Sequence, residues 1–288
     1  MGVKPTVSIL GCGWLGWPLA RALCLLGYPV KGSTTSAHKI SFLKADGIDP
    51  FLIEIDPPVI QEPPGLAPPL AGLAPISPID LFFQSDILVI TLPFRRDFNP
   101  AQLYQKEIQS VRDHLRKSKI GFVIFTSSTA MYPKLDRIWT EEDSFTAADE
   151  RAEVLLSVEQ MLFKESRWDT TVVRLAGLYG EDRRPGQSSL GQAFLKDGRQ
   201  PMNLIHRDDA VEIIIQIIVQ DLRGEIFNAC ADAHPTQKEL YTFVASQLGL
   251  APPQFGEGPS SYKIISNQKV KAKLGFSFKH HVLGSRVP

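Results

Sequence analysis

The spacing Gly11-x-Gly13-x-x-Gly16 narrows what this chain can fold into more than any other feature. It follows the apolar run Val7-Ser8-Ile9-Leu10 directly and precedes Leu19-Ala20-Arg21-Ala22-Leu23. An apolar strand, a glycine turn and a helix start in that order form the context of a dinucleotide-binding site. Gly11 is expected to make the tight turn, Gly13 to let backbone approach a pyrophosphate, and Gly16 to let helix and strand pack closely. The new helix would present free N–H groups and a partial positive charge. The amides of Trp14 and Leu15 therefore join the three glycines as candidate phosphate contacts.

Composition removes several classes of partner. Lys+Arg and Asp+Glu both number 31, so the formal net charge is zero and no electrostatic case exists for nucleic acid or an anionic membrane. The three cysteines, Cys12, Cys24 and Cys230, have no metal-ligand spacing, and their odd number argues against a disulfide framework. A helix start would lower the pKa of the Cys12 thiol, but Cys12 reads as a small residue that fits the turn. His206 has no Cys or His at ligand spacing in the sequence, so no metal site is expected. The first apolar run is too short for a secretory signal, and the most apolar stretch, residues 213–219, is too short for a bilayer. These readings predict a cytoplasmic protein, monomeric or homodimeric, whose partners are a dinucleotide and a small molecule.

Strand and helix patterns alternate through the first two thirds. Strands are expected at residues 6–10, from 29, and at 51–55, 86–92, 121–126 and 170–175. Helices are expected at 18–26, 39–45, 101–117 and 147–164, the third of these burying Leu103, Ile108, Val111 and Leu115. Such alternation predicts an α/β, Rossmann-type doubly wound parallel sheet. Residues 57–78 hold eight prolines and read as an extended surface loop. Residues 180–201 read as a loop over a cleft. Thr236 with Glu239 forms a capping-box pattern, and Asp208 and Asp209 read as caps of the 213–219 helix. The expected division is a nucleotide-binding domain of residues 1–179 and 203–230, with a smaller C-terminal substrate lobe of 180–202 and 231–288.

The end of the second strand selects the cofactor. A carboxylate usually stands about 20 residues after the glycines to bind a ribose 2′-hydroxyl. Here no Asp or Glu occurs between Gly16 and Asp46. Ser33, Thr34, Thr35 and Lys39 stand there instead, donors and positive charge suited to a 2′-phosphate. NADP is therefore expected ahead of NAD.

Several segments together resemble the extended short-chain dehydrogenase/reductases, which include NAD(P)-dependent sugar-nucleotide epimerases and dehydratases. They are Phe125-Thr126-Ser127-Ser128-Thr129-Ala130-Met131-Tyr132, Val173-Arg174-Leu175-Ala176-Gly177-Leu178-Tyr179-Gly180, Asn203-Leu204-Ile205-His206-Arg207-Asp208-Asp209-Ala210 and Gly224-Glu225-Ile226-Phe227-Asn228-Ala229. The Gly-Cys-Gly-Trp-Leu-Gly form resembles an atypical bacterial branch. The resemblance implies cofactor contacts from Leu92 and Pro93 after the fourth strand, Ser127 in the serine loop and Leu175 at the end of the sixth strand. It also implies a catalytic Ser, Tyr and Lys. Ser128 fits the serine. Glu159 fits the family's glutamate, which puts the Tyr and Lys places at Arg151 and Leu155. No tyrosine lies between Tyr132 and Tyr179 and no lysine between Lys134 and Lys164. Ser128 and Arg151 remain as candidate catalytic residues, Arg151 as a holder of a substrate carboxylate or phosphate rather than an acid. Two functions follow: an NAD(P)-dependent epimerase, dehydratase or oxidoreductase acting on a small polar metabolite or nucleotide sugar, or a non-catalytic NADP sensor or scaffold. Expected strands at 170–175 and 225–228 argue against dehydrogenases with an all-helical second domain.

Overall fold

The computed structural model describes residues 2–55, 77–94, 100–180, 182–185, 194–195, 197–256, 258 and 261–282. Its first half alternates as read: β1 (Val7–Leu10), α1 (Gly16–Leu25), β2 (Val30–Thr34), α2 (Ile40–Ala45), β3 (Asp49–Leu52), α3 (Pro78–Phe82), β4 (Ile87–Ile90), α4 (Pro100–Leu115) and β5 (Phe122–Ser128). Then come β6 (Arg137–Trp139), α5 (Glu150–Phe163), β7 (Asp169–Leu175), β8 (Gly177–Tyr179), β9 (Phe194–Leu195), β10 (Leu204–His206), α6 (Arg207–Val219), β11 (Ile226–Ala229), α7 (Gln237–Leu248), β12 (Gln254–Phe255), β13 (Lys263–Ile265) and α8 (Gln268–Leu274). Residues 57–76 of the proline-rich reading at 57–78, and residues 181, 186–193 and 196 of the 180–201 loop, lie outside the described residues.

Seven strands form one parallel sheet in the order β11-β7-β5-β4-β1-β2-β3. Its centre is apolar because helical crossovers cover both faces of such a sheet. Every residue of β1 and of β4 is buried. β1 pairs with β2 on one side and with β4 on the other, Val7 facing Val30 and Ile87. The strand order therefore reverses at β1, which opens the crevice where ligands bind in sheets of this kind.

Two compact units make up the chain, Met1–Ile124 with Gln160–Thr170, and Phe125–Glu159 with Thr171–Pro288. The second unit carries its own apolar cluster, with Tyr179, Leu204, Leu240, Tyr241 and Val244 at its centre. α7 in that cluster starts as its sequence dictates: Thr236 accepts the Glu239 N–H, and the Glu239 carboxylate accepts the Thr236 N–H.

Three local readings change. α4 buries Ala101, Tyr104, Ile108, Val111 and Leu115, while Leu103 is exposed. At 100° per residue Leu103 lies well off the line through Ile108, Val111 and Leu115, so Tyr104 takes the core position. The third strand is Asp49–Leu52 rather than 51–55. The parallel pairs β6–β13, β8–β10 and β9–β12 are absent from the sequence reading, because their strands of two or three residues are too short to show a period.

Candidate functional site

In the first unit the glycine turn is built by contacts inside the chain. Gly11 has φ +101°, the left-handed region that only glycine occupies freely. Its N–H donates to Ser33 Oγ at 2.9 Å. Its carbonyl accepts from Thr91 Oγ1 at 2.8 Å. Cys12 N–H donates to the Ser33 carbonyl at 2.7 Å. A Cβ at Gly16 would stand 2.3 Å from the Gly11 carbonyl oxygen and 2.7 Å from Thr91 Oγ1, so no side chain fits. At Gly13 the nearest atom to a Cβ would be the Gly11 oxygen at 3.9 Å, and the residue is exposed. Gly16 is thus closed by the protein itself, whereas Gly13 faces open space. A third close approach was not read from the sequence: a Cβ at Gly32 would meet Cys12 Sγ and Ile48 Cγ2, both at 2.7 Å.

Around this turn the charges are arranged as a dinucleotide requires. α1 has no acidic residue in its first turn and no side-chain cap, so its positive end is not neutralised locally. Trp14 is half-buried and Leu15 buried. Asp46, the first carboxylate after Gly16, accepts from Trp17 Nε1 at 2.7 Å and lies 3.8 Å from Arg21 Nε. It is engaged at the far end of α2. At the end of β2, Thr35 is exposed and Lys39 half-buried. Leu92 and Pro93 follow β4, at the strand-order reversal.

Two readings of this region are corrected. Ser33 is only 2% exposed and its oxygen already accepts the Gly11 N–H, so it builds the turn rather than facing a ligand. Thr34 is buried as well, its Oγ1 accepting from Ser36 N–H at 3.1 Å. The Cys12 thiol is not acidified by the helix start: burial pushes it up to about 12, against the opposing charge of Lys39.

In the second unit, β5 runs into a single 3₁₀ turn, Thr129–Met131. Ser128 Oγ accepts from Ala130 N–H at 3.1 Å, and Thr129 Oγ1 donates to the Leu175 carbonyl at 3.4 Å. Ser128 is half-buried, while Ser127 is buried and its hydroxyl has no hydrogen-bond partner among the described residues. Tyr132 is buried, its hydroxyl accepting from Arg174 Nη1 at 2.6 Å and donating to Asn228 Oδ1 at 2.9 Å. Burial raises its pKa, with Arg174 opposing. Glu159 binds Arg174 through contacts of 3.2, 3.2 and 2.7 Å.

At the start of α5, Asp149 Oδ1 accepts from Ala152 N–H at 2.8 Å, which makes it the N-cap. Arg151 is exposed on the first turn. Leu155, in the place of the family's lysine, is 2% exposed and belongs to the core. One residue near this turn gave no signal in the sequence. Lys263, on β13, donates from Nζ to the carbonyls of Thr129, Ala130 and Tyr132 at 2.9, 3.2 and 2.6 Å. Burial lowers its pKa to about 8, Lys134 and Arg151 adding to the effect and Asp149 opposing it.

The start of α6 also differs from the sequence reading. His206, not an aspartate, is the N-cap, its Nδ1 accepting from Asp208 N–H at 3.2 Å. Asp209 is buried and accepts the N–H groups of Lys279 and His280, both at 3.2 Å. His280 stacks on His206 with centroids 3.8 Å apart and planes 15° apart. His206, Asp208 and His280 bring ligand-type atoms within 4.8 Å of one another. Face-to-face rings direct their in-plane lone pairs side by side, however, and zinc needs them to converge at about 2.0–2.1 Å.

With this geometry in place, the fold is that of solved proteins described as a putative NAD-dependent epimerase/dehydratase and a short-chain dehydrogenase/reductase superfamily protein. UDP-glucuronic acid 4-epimerase from Bacillus cereus superposes with a TM-score of 0.76 at 14% identity, over 96% of this chain and 93% of that one. A functionally unknown conserved protein from Silicibacter pomeroyi gives a TM-score of 0.72 at 22% identity, over 96% and 94%. Protein YeeZ of Escherichia coli (strain K12) is 32% identical over 276 residues, 95% of this chain and 96% of its own length, and this chain belongs to the same family. No family model matches the chain. No helix among the described residues is long and apolar enough to cross a membrane.

Proposed function

We propose that the protein is an NADP-dependent enzyme of the short-chain dehydrogenase/reductase type, acting on a small polar metabolite of the nucleotide-sugar class. The observation that carries the reading is the glycine turn at the β1/β4 reversal, open at Gly13, with no carboxylate at the end of β2. Gly11, Gly13, Gly16 and the amides of Trp14 and Leu15 would hold a pyrophosphate. Thr35 and Lys39 would receive a 2′-phosphate, with Leu92 and Pro93 beside the dinucleotide. A bound dinucleotide would supply the hydride, and the chain's part is orientation and electrostatics. Ser128 would donate to a substrate oxygen, because its own oxygen is already used by Ala130 N–H. Arg151 would hold a substrate anion. The Bacillus cereus epimerase is described with NAD, and the Thermotoga maritima UDP-glucose 4-epimerase with UDP-glucose, which supports the ligand class.

One observation favours a second reading. Leu155 is buried where the family carries its lysine, so the usual proton-transfer pair is absent and a dinucleotide sensor is the alternative. Calorimetric titration with NADPH and NADH tests the binding. Stereospecific hydride transfer across a panel of nucleotide sugars then separates the two readings. Tight NADPH binding with no transfer to any member selects the sensor, and no binding of either dinucleotide refutes both.

A further inference from the structure

Two side chains close the turn that follows β5. Ser128 closes its N-terminal end by accepting the Ala130 N–H. Lys263 closes its C-terminal end by donating to the carbonyls of Thr129, Ala130 and Tyr132. An ammonium group has three N–H donors, and all three are used. Ala130 is thus held through its N–H by Ser128 and through its carbonyl by Lys263.

The lysine is itself fixed before it reaches the turn. Its backbone lies in β13, where Lys263 pairs with Arg137 of β6. Its carbonyl accepts from Asn203 Nδ2 at 2.9 Å, and Asn203 Oδ1 accepts the Ile265 N–H at 2.9 Å. On the other side, Asp136 Oδ1 accepts the Tyr262 N–H at 2.6 Å. The charged groups around the ammonium are Lys134 after the turn and Asp149 and Arg151 at the start of α5.

We propose that Lys263 is the positioning residue of the candidate site, a cationic clamp on residues 129–132 that sets the Ser128 hydroxyl as a hydrogen-bond donor. The inference rests on the reading of Ser128 as the substrate-facing group. Its physical content is that the three contacts of Nζ hold the turn closed. The pKa near 8 in the closed turn lies below that of a free lysine, so opening the turn takes up a proton and the closed form gains as pH rises above 8.

Residue-resolved amide hydrogen exchange on the full chain tests it, at Ala130 and Tyr132 between pH 6.5 and 9.5, after division by the intrinsic rates. Lysine ¹³Cε shifts are followed in parallel. Wild-type protection should rise about tenfold between pH 7 and 9, because opening takes up one proton over that range. A single lysine signal should titrate in step and vanish in K263R. K263R, whose guanidinium does not titrate, should stay protected throughout, and K263M should be unprotected at every pH. Protection that is flat or falls across pH 8, or that rises without a lysine titrating alongside, overturns the clamp, and this comparison needs no variant to fold. Equal protection in wild type and K263M overturns it as well. NADPH titration of the same samples reports on the glycine turn separately. A failed clamp with intact NADPH binding refutes this inference alone, and an intact clamp with no NADPH binding refutes only the proposed activity.

Discussion

Alanine at Gly13 and alanine at Gly16 should have opposite consequences, although the two glycines belong to one motif. At Gly16 the new Cβ would lie 2.3 Å from a backbone carbonyl oxygen and 2.7 Å from Thr91 Oγ1, which is itself bonded to the Gly11 carbonyl. The nearest obstacle is backbone and cannot rotate away, so the upper part of the ~1–3 kcal/mol range for overpacking applies. Replacing glycine by alanine in a helix offsets at most ~1 kcal/mol of that. The net loss is ~2 kcal/mol, or roughly 6–8 °C in the melting temperature of the unit that holds the turn. At Gly13 the nearest atom is 3.9 Å away, an ordinary contact, so stability should stay within about 0.5 kcal/mol of wild type. Gly13→Ala and the bulkier Gly13→Val nevertheless fill the open space where a pyrophosphate would lie. NADPH affinity should fall by more than about 100-fold, ~2.8 kcal/mol. Urea or thermal denaturation reads the first effect and titration calorimetry the second. Native NADPH affinity in a folded Gly13→Val protein would refute the assignment of the glycine turn. A Gly16→Ala protein as stable as wild type would refute the steric argument.

Four further outcomes follow from the same geometry. Lys39→Ala should weaken NADPH about tenfold and leave NADH nearly unchanged, since one charge-assisted contact is worth ~1.5–3 kcal/mol; equal losses for both in calorimetry remove the case for NADP. Glu159→Gln leaves Arg174 charged and buried without its carboxylate, so chemical denaturation should show a loss of ~3–5 kcal/mol. Restoring the family pair with Arg151→Tyr and Leu155→Lys should destabilise the fold, because position 155 is buried; a buried lysine has a depressed folded pKa, so stability should recover as pH rises toward 10 in urea melts. Lys263 obeys the same sign: its folded pKa lies near 8 and below the unfolded 10.5, so wild type should gain stability relative to K263M between those pH values.

The sequence by itself determined the class of fold and the place of the candidate nucleotide site, and the reason is local. An apolar strand, a glycine turn and a helix start occupy consecutive residues, and the alternation of strand and helix patterns dictates a parallel sheet with crossovers. The capping box at Thr236 and Glu239 and the absence of the Tyr and Lys on α5 were legible for the same reason. What only the tertiary structure decided involves residues far apart in the chain. Ser33 was read as a ligand contact from its place after β2, but its hydroxyl faces the Gly11 amide 22 residues away. Cys12 was read as a small residue that fits the turn, and only the fold shows that burial raises its thiol against the effect of the helix start. Gly32 is required by Cys12 and Ile48, and His206 acquires its stacking partner from residue 280. Lys263 reaches the serine turn across more than 130 residues through a three-residue strand that carries no periodicity. Local order is written in adjacent residues, whereas the partners of a buried polar group are set by which segments the sheet and its flanking pairs bring together.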